Sequence, residues 1–273
     1  MPDILQRGNT GQAVADLQTR LAAAGFPVPR THVYDEATEA AVSALQRARR
    51  LVVDGRYGPK TAAALAGLET GRLLTEADLV RAADTLCVPL ATIKAVNEVE
   101  SRGSGFLPDG RPVILFERHV FYERLAEHGI DPAPHAARLP AIVNTARGGY
   151  AGGAAEYRRL AMATAICEPA ALESVSWGAF QVMGYHWQRL GYAGIEAFVA
   201  AMRRSEGDQL DAFVRYVQAD AALAKALAAR KWATFARGYN GPAYAQNLYD
   251  VKLARAYQRY ADAPQADIAE AAA

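Results

Sequence analysis

Little in this chain points to the commoner catalytic chemistries, and each absence narrows the reading. Only two cysteines, Cys87 and Cys167, occur in 273 residues, so neither a disulfide framework nor a CxxC metal or redox site is available. They pair only if the fold brings them together. For a chain made in a reducing compartment, the expectation is two buried free thiols without a catalytic role. The five histidines, His32, His119, His128, His135 and His186, stand in no HExxH or other ligand spacing. That argues against a zinc amidase or peptidase and predicts neither metal nor cofactor. A phosphate-binding glycine loop and a Gly-x-Ser-x-Gly elbow are also missing.

Net charge is nearly nil. Lys and Arg number 30 against 29 Asp and Glu, and the first 68 residues carry 8 basic against 6 acidic side chains. Such a balance argues against nucleic acid as the main partner and against a strongly cationic membrane-disrupting tail. No apolar run approaches the roughly 18 residues of a membrane span. The start, MPDILQRGNTGQAVADLQ, has no basic stretch followed by an apolar one, so no secretory signal is expected. A hydrophobic content of 51% with 22% charged residues is that of an ordinary globular protein, long enough for one large or two smaller domains.

What is present begins with a compact unit over residues 4–65. Val14, Leu17, Gln18 and Leu21 share one helix face, and Gly25 closes that helix. A second helix opens at Tyr34-Asp35-Glu36-Ala37-Thr38 and aligns Ala41, Val42, Leu45 and Gln46. The turn Asp54-Gly55-Arg56-Tyr57-Gly58-Pro59-Lys60-Thr61 opens a third that ends at Leu65. Each half runs through an acidic turn and a Thr before a helix, which hints at internal duplication. Thr75-Glu76-Ala77-Asp78 then reads as a capping box that starts a new helix.

The next helix carries the most informative side chain. Leu90, Ile93, Val96 and Asn97 recur at spacings of three and four, and Glu100 falls four after Val96 on the same face. Glu98 lies about 200° round the helix, where it serves as a surface partner for Lys94. An inward carboxyl is costly to ionise, so its pKa should rise. Glycoside hydrolysis needs such a group, a carboxylic acid still protonated near neutral pH. The alternative is a structural ion pair with Arg102 or Arg111.

Three short motifs follow one another: Glu100-Ser101, then Ser176-Trp177-Gly178-Ala179-Phe180-Gln181-Val182-Met183, then Tyr239-Asn240-Gly241-Pro242. Their order resembles the lysozyme-like fold of goose-type lysozymes and lytic transglycosylases. The stretch VESRGSGFLPDGRPVILFERHVF, Val99 to Phe121, is closer still to the N-acetylmuramidase domain of modular phage endolysins. The N-terminal unit, with Gly8, Gly11, Val14, Leu17, Gln18, Thr38, Gln46, Asp54, Gly55, Gly58 and Thr61 in place, resembles the three-helix peptidoglycan-binding domain of cell-wall enzymes.

These resemblances imply a mainly α chain with a minor β element. A peptidoglycan-binding domain at 1–68 would be followed by a linker at 69–74, a lysozyme-like muramidase domain at 75–262 and a flexible tail at 263–273. They imply a monomeric endolysin, made in a host cytoplasm without a signal peptide and without stable membrane association. It would act in the periplasm on the β-1,4 bond between N-acetylmuramic acid and N-acetylglucosamine. Wall contacts would involve Asp54, Gly55, Tyr57, Gly58 and Thr61. The alternatives are a lytic transglycosylase giving 1,6-anhydro products and a non-catalytic wall-binding protein.

Within the site, the roles are weighed residue by residue. Small side chains at Gly178 and Ala179 would let a sugar ring approach the backbone, unless they form only a tight crossing. The Gln181 amide can serve a substrate acetamido group, with Ser176 nearby in the motif, or cap backbone groups instead. The resemblance places Tyr239 close to the acid, against the alternative of a core aromatic, while Asn240 either binds substrate or holds its turn. Glu117 is the best candidate for a second carboxylate, general base or substrate ligand, with an ion pair to Arg118 or Arg124 as the alternative. The apolar run Pro112–Phe116 is expected to pair with the turn before it in a small sheet. Helices are expected at 119–128, 154–166, 170–176, 194–202, 208–229, 231–238 and 242–260.

Overall fold

A computed structural model describes residues 4–101 and 103–262. The expected tail at 263–273 and Arg102, one alternative partner of Glu100, lie outside the described residues. The chain divides into two units, Met1–Leu79 and Val80–Ala273.

The first unit holds α1 (Gln12–Ala23), α2 (Glu36–Ala48) and α3 (Pro59–Leu65). Asp35 caps α2 by accepting from the Thr38 N–H at 2.9 Å, and Pro59 enters α3 where no N–H is needed. Val14, Leu17, Leu21, Tyr34, Val42 and Leu45 form the core. The duplication hinted at in the sequence has a physical counterpart in two buried glutamines. Gln18 Nε2 donates to Val33 O and Thr38 Oγ1, while its Oε1 accepts from the Thr31 and His32 N–H groups. Gln46 Nε2 donates to Asp54 Oδ1, Arg56 O and Thr61 Oγ1, and its Oε1 accepts from the Asp54 and Gly55 N–H groups.

The recognised signature therefore builds the scaffold. Gly55 and Thr61 are buried and Asp54 is tied to Gln46; Tyr57 packs on the core and pairs its backbone with Leu5, and Gly58 caps α3. Gln46→Leu should strand the Asp54 and Gly55 N–H groups and destabilise this unit by about 2–4 kcal/mol. A urea melt of the full chain checks this; a transition left unmoved would contradict it.

The capping box forms as expected: Asp78 N–H donates to Thr75 Oγ1 at 3.1 Å and Thr75 N–H to Asp78 Oδ2 at 2.9 Å, opening α4 (Glu76–Leu86). Then come α5 (Leu90–Glu100), β1 (Ile114–Phe116), α6 (Arg118–Glu127), α7 (Ala133–Arg138), α8 (Glu156–Thr164) and α9 (Glu168–Glu173). The chain continues through β2 (Val175–Trp177), β3 (Val182–Met183), α10 (Ile195–Arg204), α11 (Glu206–Gln218), α12 (Ala221–Ala228), α13 (Trp232–Asn240) and α14 (Tyr249–Asp262). The three strands make one antiparallel sheet in the order β1-β2-β3, with Ile114 opposite Trp177 and Ser176 opposite Met183. The architecture is mainly α with a minor sheet, as expected.

Several local expectations are corrected. Helix at 170–176 gives way to α9 ending at Glu173 and β2 starting at Val175, because Val175 and Trp177 are fully buried as a paired strand. The sheet partner of β1 is that strand; the turn at 108–111 contributes only a Phe106–Pro112 bridge. The expected helix 208–229 is broken at Asp220, whose carboxylate accepts from the Ala222 and Leu223 N–H groups and starts α12. The stretch 242–260 begins as a 3-10 turn, Pro242–Asn247, and Leu248 takes positive φ before α14. Both cysteines are free, but Cys87 is exposed and Cys167 half-buried.

α14 packs along α5. Its Arg259 Nη2 meets Glu98 Oε1 at 2.5 Å, and the Tyr260 hydroxyl donates to Glu98 Oε2 at 2.9 Å. Glu98 is thus tied to a distant helix as well as lying one turn from Lys94.

Candidate active site

α5 ends on Glu100, and the helical spacing does what it predicts: Ile93, Val96 and Glu100 are all buried. Glu100 retains only 9% of its exposure. Among the described residues, its hydrogen-bond partner is neutral. Asn240 Nδ2, at the last residue of α13, donates to Oε1 at 2.9 Å. Arg111 is engaged elsewhere, with Asp109 at 2.6 Å and over the Tyr157 ring at 4.1 Å. Burial pushes the Glu100 carboxyl up to about 7, and the Asn240 hydrogen bond opposes part of the rise. The position at a helix C-terminus, where unpaired carbonyls point, also disfavours the anion.

Tyr239 and Asn240 are neighbours that hold two different things. Asn240 grips the end of α5, while the Tyr239 hydroxyl donates to Phe180 O at 2.6 Å, inside the β2–β3 turn. The Tyr239 ring is stacked on Phe235 at 5.9 Å and meets Phe213 edge-on at 5.2 Å. Burial first, and the nearby Glu100 charge second, hold its hydroxyl well above its ordinary pKa. Tyr239 is therefore a neutral donor. It is buried among aromatic rings and near enough to Glu100 to feel its charge.

The turn motif is turned inward. Gln181, at positive φ, accepts from the Ser176 hydroxyl at 2.9 Å and donates from Nε2 to Gly178 O at 2.8 Å. Both ends of its amide thus serve the hairpin. Gly178 has φ +72° and Ala179 is buried; the space beside them, which the sequence reading reserves for a sugar, is filled by Gln209 of α11. Gln209 Oε1 accepts from the Ala179 N–H at 2.7 Å, and its Nε2 donates to Met202 O at 2.9 Å. One turn earlier, Glu206 accepts from the Gly105 N–H at 2.7 Å, fixing the loop that follows Glu100. These two buried polar side chains, three residues apart on an apolar helix face, are the signal that sequence analysis passed over.

Gly178→Ala should be destabilising by about 2–4 kcal/mol, from the left-handed backbone and the displaced Gln209 bond. A Cβ there would lie 2.4 Å from Gln209 Cδ. Thermal unfolding measures the loss, and wild-type stability in this variant would refute the packing argument.

Glu117 follows β1 and stands at the N-terminal boundary of α6, its carboxylate free of any capping bond to the helix. Both its oxygens accept from the Tyr150 hydroxyl at 3.0 Å, and His119 Nδ1 lies 3.2 Å from Oε2. Neither arginine weighed as its partner is used so: Arg118 donates to the Ala146 and Arg147 carbonyls, and Arg124 pairs with Glu127 and Glu173. Tyr150 sits between two anchors, Arg118 on the preceding carbonyls and buried Glu156, which accepts from the Ala151 and Gly152 N–H groups. Gly148, Gly149, Gly152 and Gly153 around it all take positive φ. Among the described residues no three His, Cys, Asp or Glu side chains gather closely enough to hold a metal ion. No described helix is long and apolar enough to cross a membrane.

Residues 89–261 match the N-acetylmuramidase family and residues 10–65 a peptidoglycan-binding domain family. The crystal structure of the Burkholderia AP3 phage endolysin superposes with a TM-score of 0.89 at 56% identity, covering 95% of this chain and 99% of that one. The N-acetylmuramoyl-L-alanine amidase CwlL of Bacillus licheniformis is 46% identical over 68 residues, which are 24% of this chain. The chain thus spans about a fifth of that amidase, 19% of its length.

Proposed function

Since the chain belongs to the N-acetylmuramidase family, we propose that Glu100 is the general acid of this peptidoglycan-hydrolysing endolysin. The bond cut is the β-1,4 link from N-acetylmuramic acid to N-acetylglucosamine. The observation that carries the assignment is the burial of Glu100 beside an uncharged amide, which leaves the carboxyl protonated near neutral pH. Glu100 gives its proton to the glycosidic oxygen as the bond to C1 breaks, and water adds at C1 to leave a reducing end. Asn240 positions Glu100, Tyr239 fixes the hairpin turn beside it, and Ser176, Gly178, Ala179 and Gln181 shape that turn. Glu117, held by Tyr150 and close to His119, is the carboxylate placed to assist the water.

The first unit grips the wall through a surface built on the Gln18 and Gln46 scaffolds. The protein works as a monomer, meeting its substrate in the periplasm. Mass spectrometry of digested sacculi tests the reaction. Reducing-end muramic acid is expected; 1,6-anhydro ends would make the reaction a transglycosylation, and uncut strands would leave only wall binding.

A further inference from the structure

A half-open cavity of about 470 Å³ lies beside the site, bordered by Glu117 just before α6, by Glu123 and Arg124 in the second half of α6, by Arg147, and by Met183 of β3 and Tyr185 just after it. It touches Glu117 but not Glu100. A run of ring contacts leads from the acid's surroundings to it. Tyr239 meets Tyr216 at 5.7 Å, Tyr216 meets His186 at 5.0 Å, and His186 meets Tyr185 at 4.2 Å. The cavity is thus joined to the surroundings of Glu100 through packed rings.

Its charges sort into engaged and unengaged groups. Glu117 is taken by Tyr150 and His119, and Arg124 by Glu127 and Glu173. Glu123 and Arg147 are exposed and enter no ion pair among the described residues. One anion and one cation thus face a space floored by a methionine and a tyrosine. An uncharged N-acetyl sugar could hydrogen-bond to these groups but would leave both charges unpaired. A zwitterionic group answers both.

We propose that this cavity binds the peptide stem carried by the muramic acid, at a stem residue bearing both a free amine and a free carboxylate. Glu123 receives the amine, Arg147 the carboxylate, and Met183 and Tyr185 the alkyl portion between them. The proposal rests on the muramidase reading above and adds to it a discrimination between bare and peptide-bearing glycan. Complementary charges of this kind set specificity more than raw affinity.

The test uses full-length protein on glycan strands with intact stems and on the same strands stripped by an N-acetylmuramoyl-L-alanine amidase. Wild type should show a KM several-fold lower on the stem-bearing strands. Arg147→Ala and Glu123→Gln should each reduce that preference by about fivefold, the scale of a partly exposed ion pair, with the change falling on KM. Arg147→Lys should restore part of it. Acetylating the stem amines should lower the wild-type preference to that of Glu123→Gln and do nothing further to that variant. Equal wild-type cleavage of both strands, or a preference that survives both variants, overturns the proposal. Failure of wild type to cut either strand would instead remove the muramidase reading, and this proposal with it.

Discussion

Glu100→Gln should leave a folded, wall-binding protein whose turnover on sacculi is lower by about 10²–10⁴-fold, the range general acid catalysis contributes. The substitution keeps the shape and an oxygen able to accept from Asn240 at the present 2.9 Å position, but removes the transferable proton. Glu98→Gln is the control. That carboxylate faces Arg259 and Tyr260 on α14, away from the reacting groups, so its loss should leave turnover near wild type. Its effect belongs to stability, at most about 1 kcal/mol for a partly exposed pair. Release of reducing ends from sacculi measures both. An active Glu100→Gln, or an inactive Glu98→Gln that still folds, would move the acid elsewhere.

Above about pH 7 the wild-type rate should fall roughly tenfold per pH unit, as Glu100 gives up its proton near that value. The same shift has a consequence for stability, with a definite sign. The folded carboxyl titrates near 7 and the unfolded one near 4.5, so the protonated form is favoured by folding. Its contribution is complete below pH 4.5 and is lost as pH rises toward 7, to an extent on the order of 3 kcal/mol. Glu100→Gln carries no such penalty. It should therefore unfold at a higher temperature than wild type at pH 8, with the difference closing toward pH 4. Scanning calorimetry at the two pH values, beside a rate profile, tests both sides of the linkage. A flat alkaline limb together with equal melting temperatures at pH 8 would mean that Glu100 is ionised at little cost and is not the acid.

Much of the fold follows from local rules. The helices of the first unit, the capping box before α4, the helix of Glu100 and the apolar strand Ile114–Phe116 stand where period and end signals put them. The departures have two causes. Val175–Trp177 continues a helical pattern locally but is drawn into a strand by pairing with β1, some 60 residues earlier in the chain. Conversely, Asp220 breaks a long apolar helix because its carboxylate caps the next one. Pairing across the chain prevailed in the first case, and a strong local cap went unread in the second.

The same division runs through the site. That Glu100 and not Glu98 points inward follows from the sequence alone: at 3.6 residues per turn, Ile93, Val96 and Glu100 must share a face, whatever covers it. The family motifs, likewise, are visible as residue types in order. Spacing along one helix does not say what that face meets. Only the tertiary structure set Asn240, 140 residues away, against the carboxyl and engaged Arg111 elsewhere. It also turned both ends of the Gln181 amide into the hairpin, filled the space beside Gly178 with Gln209, and put Tyr150 on Glu117. A helical or strand period is a property of consecutive residues. A carboxyl's proton affinity depends on which distant atoms share its desolvated space, and that is decided only when the segments pack.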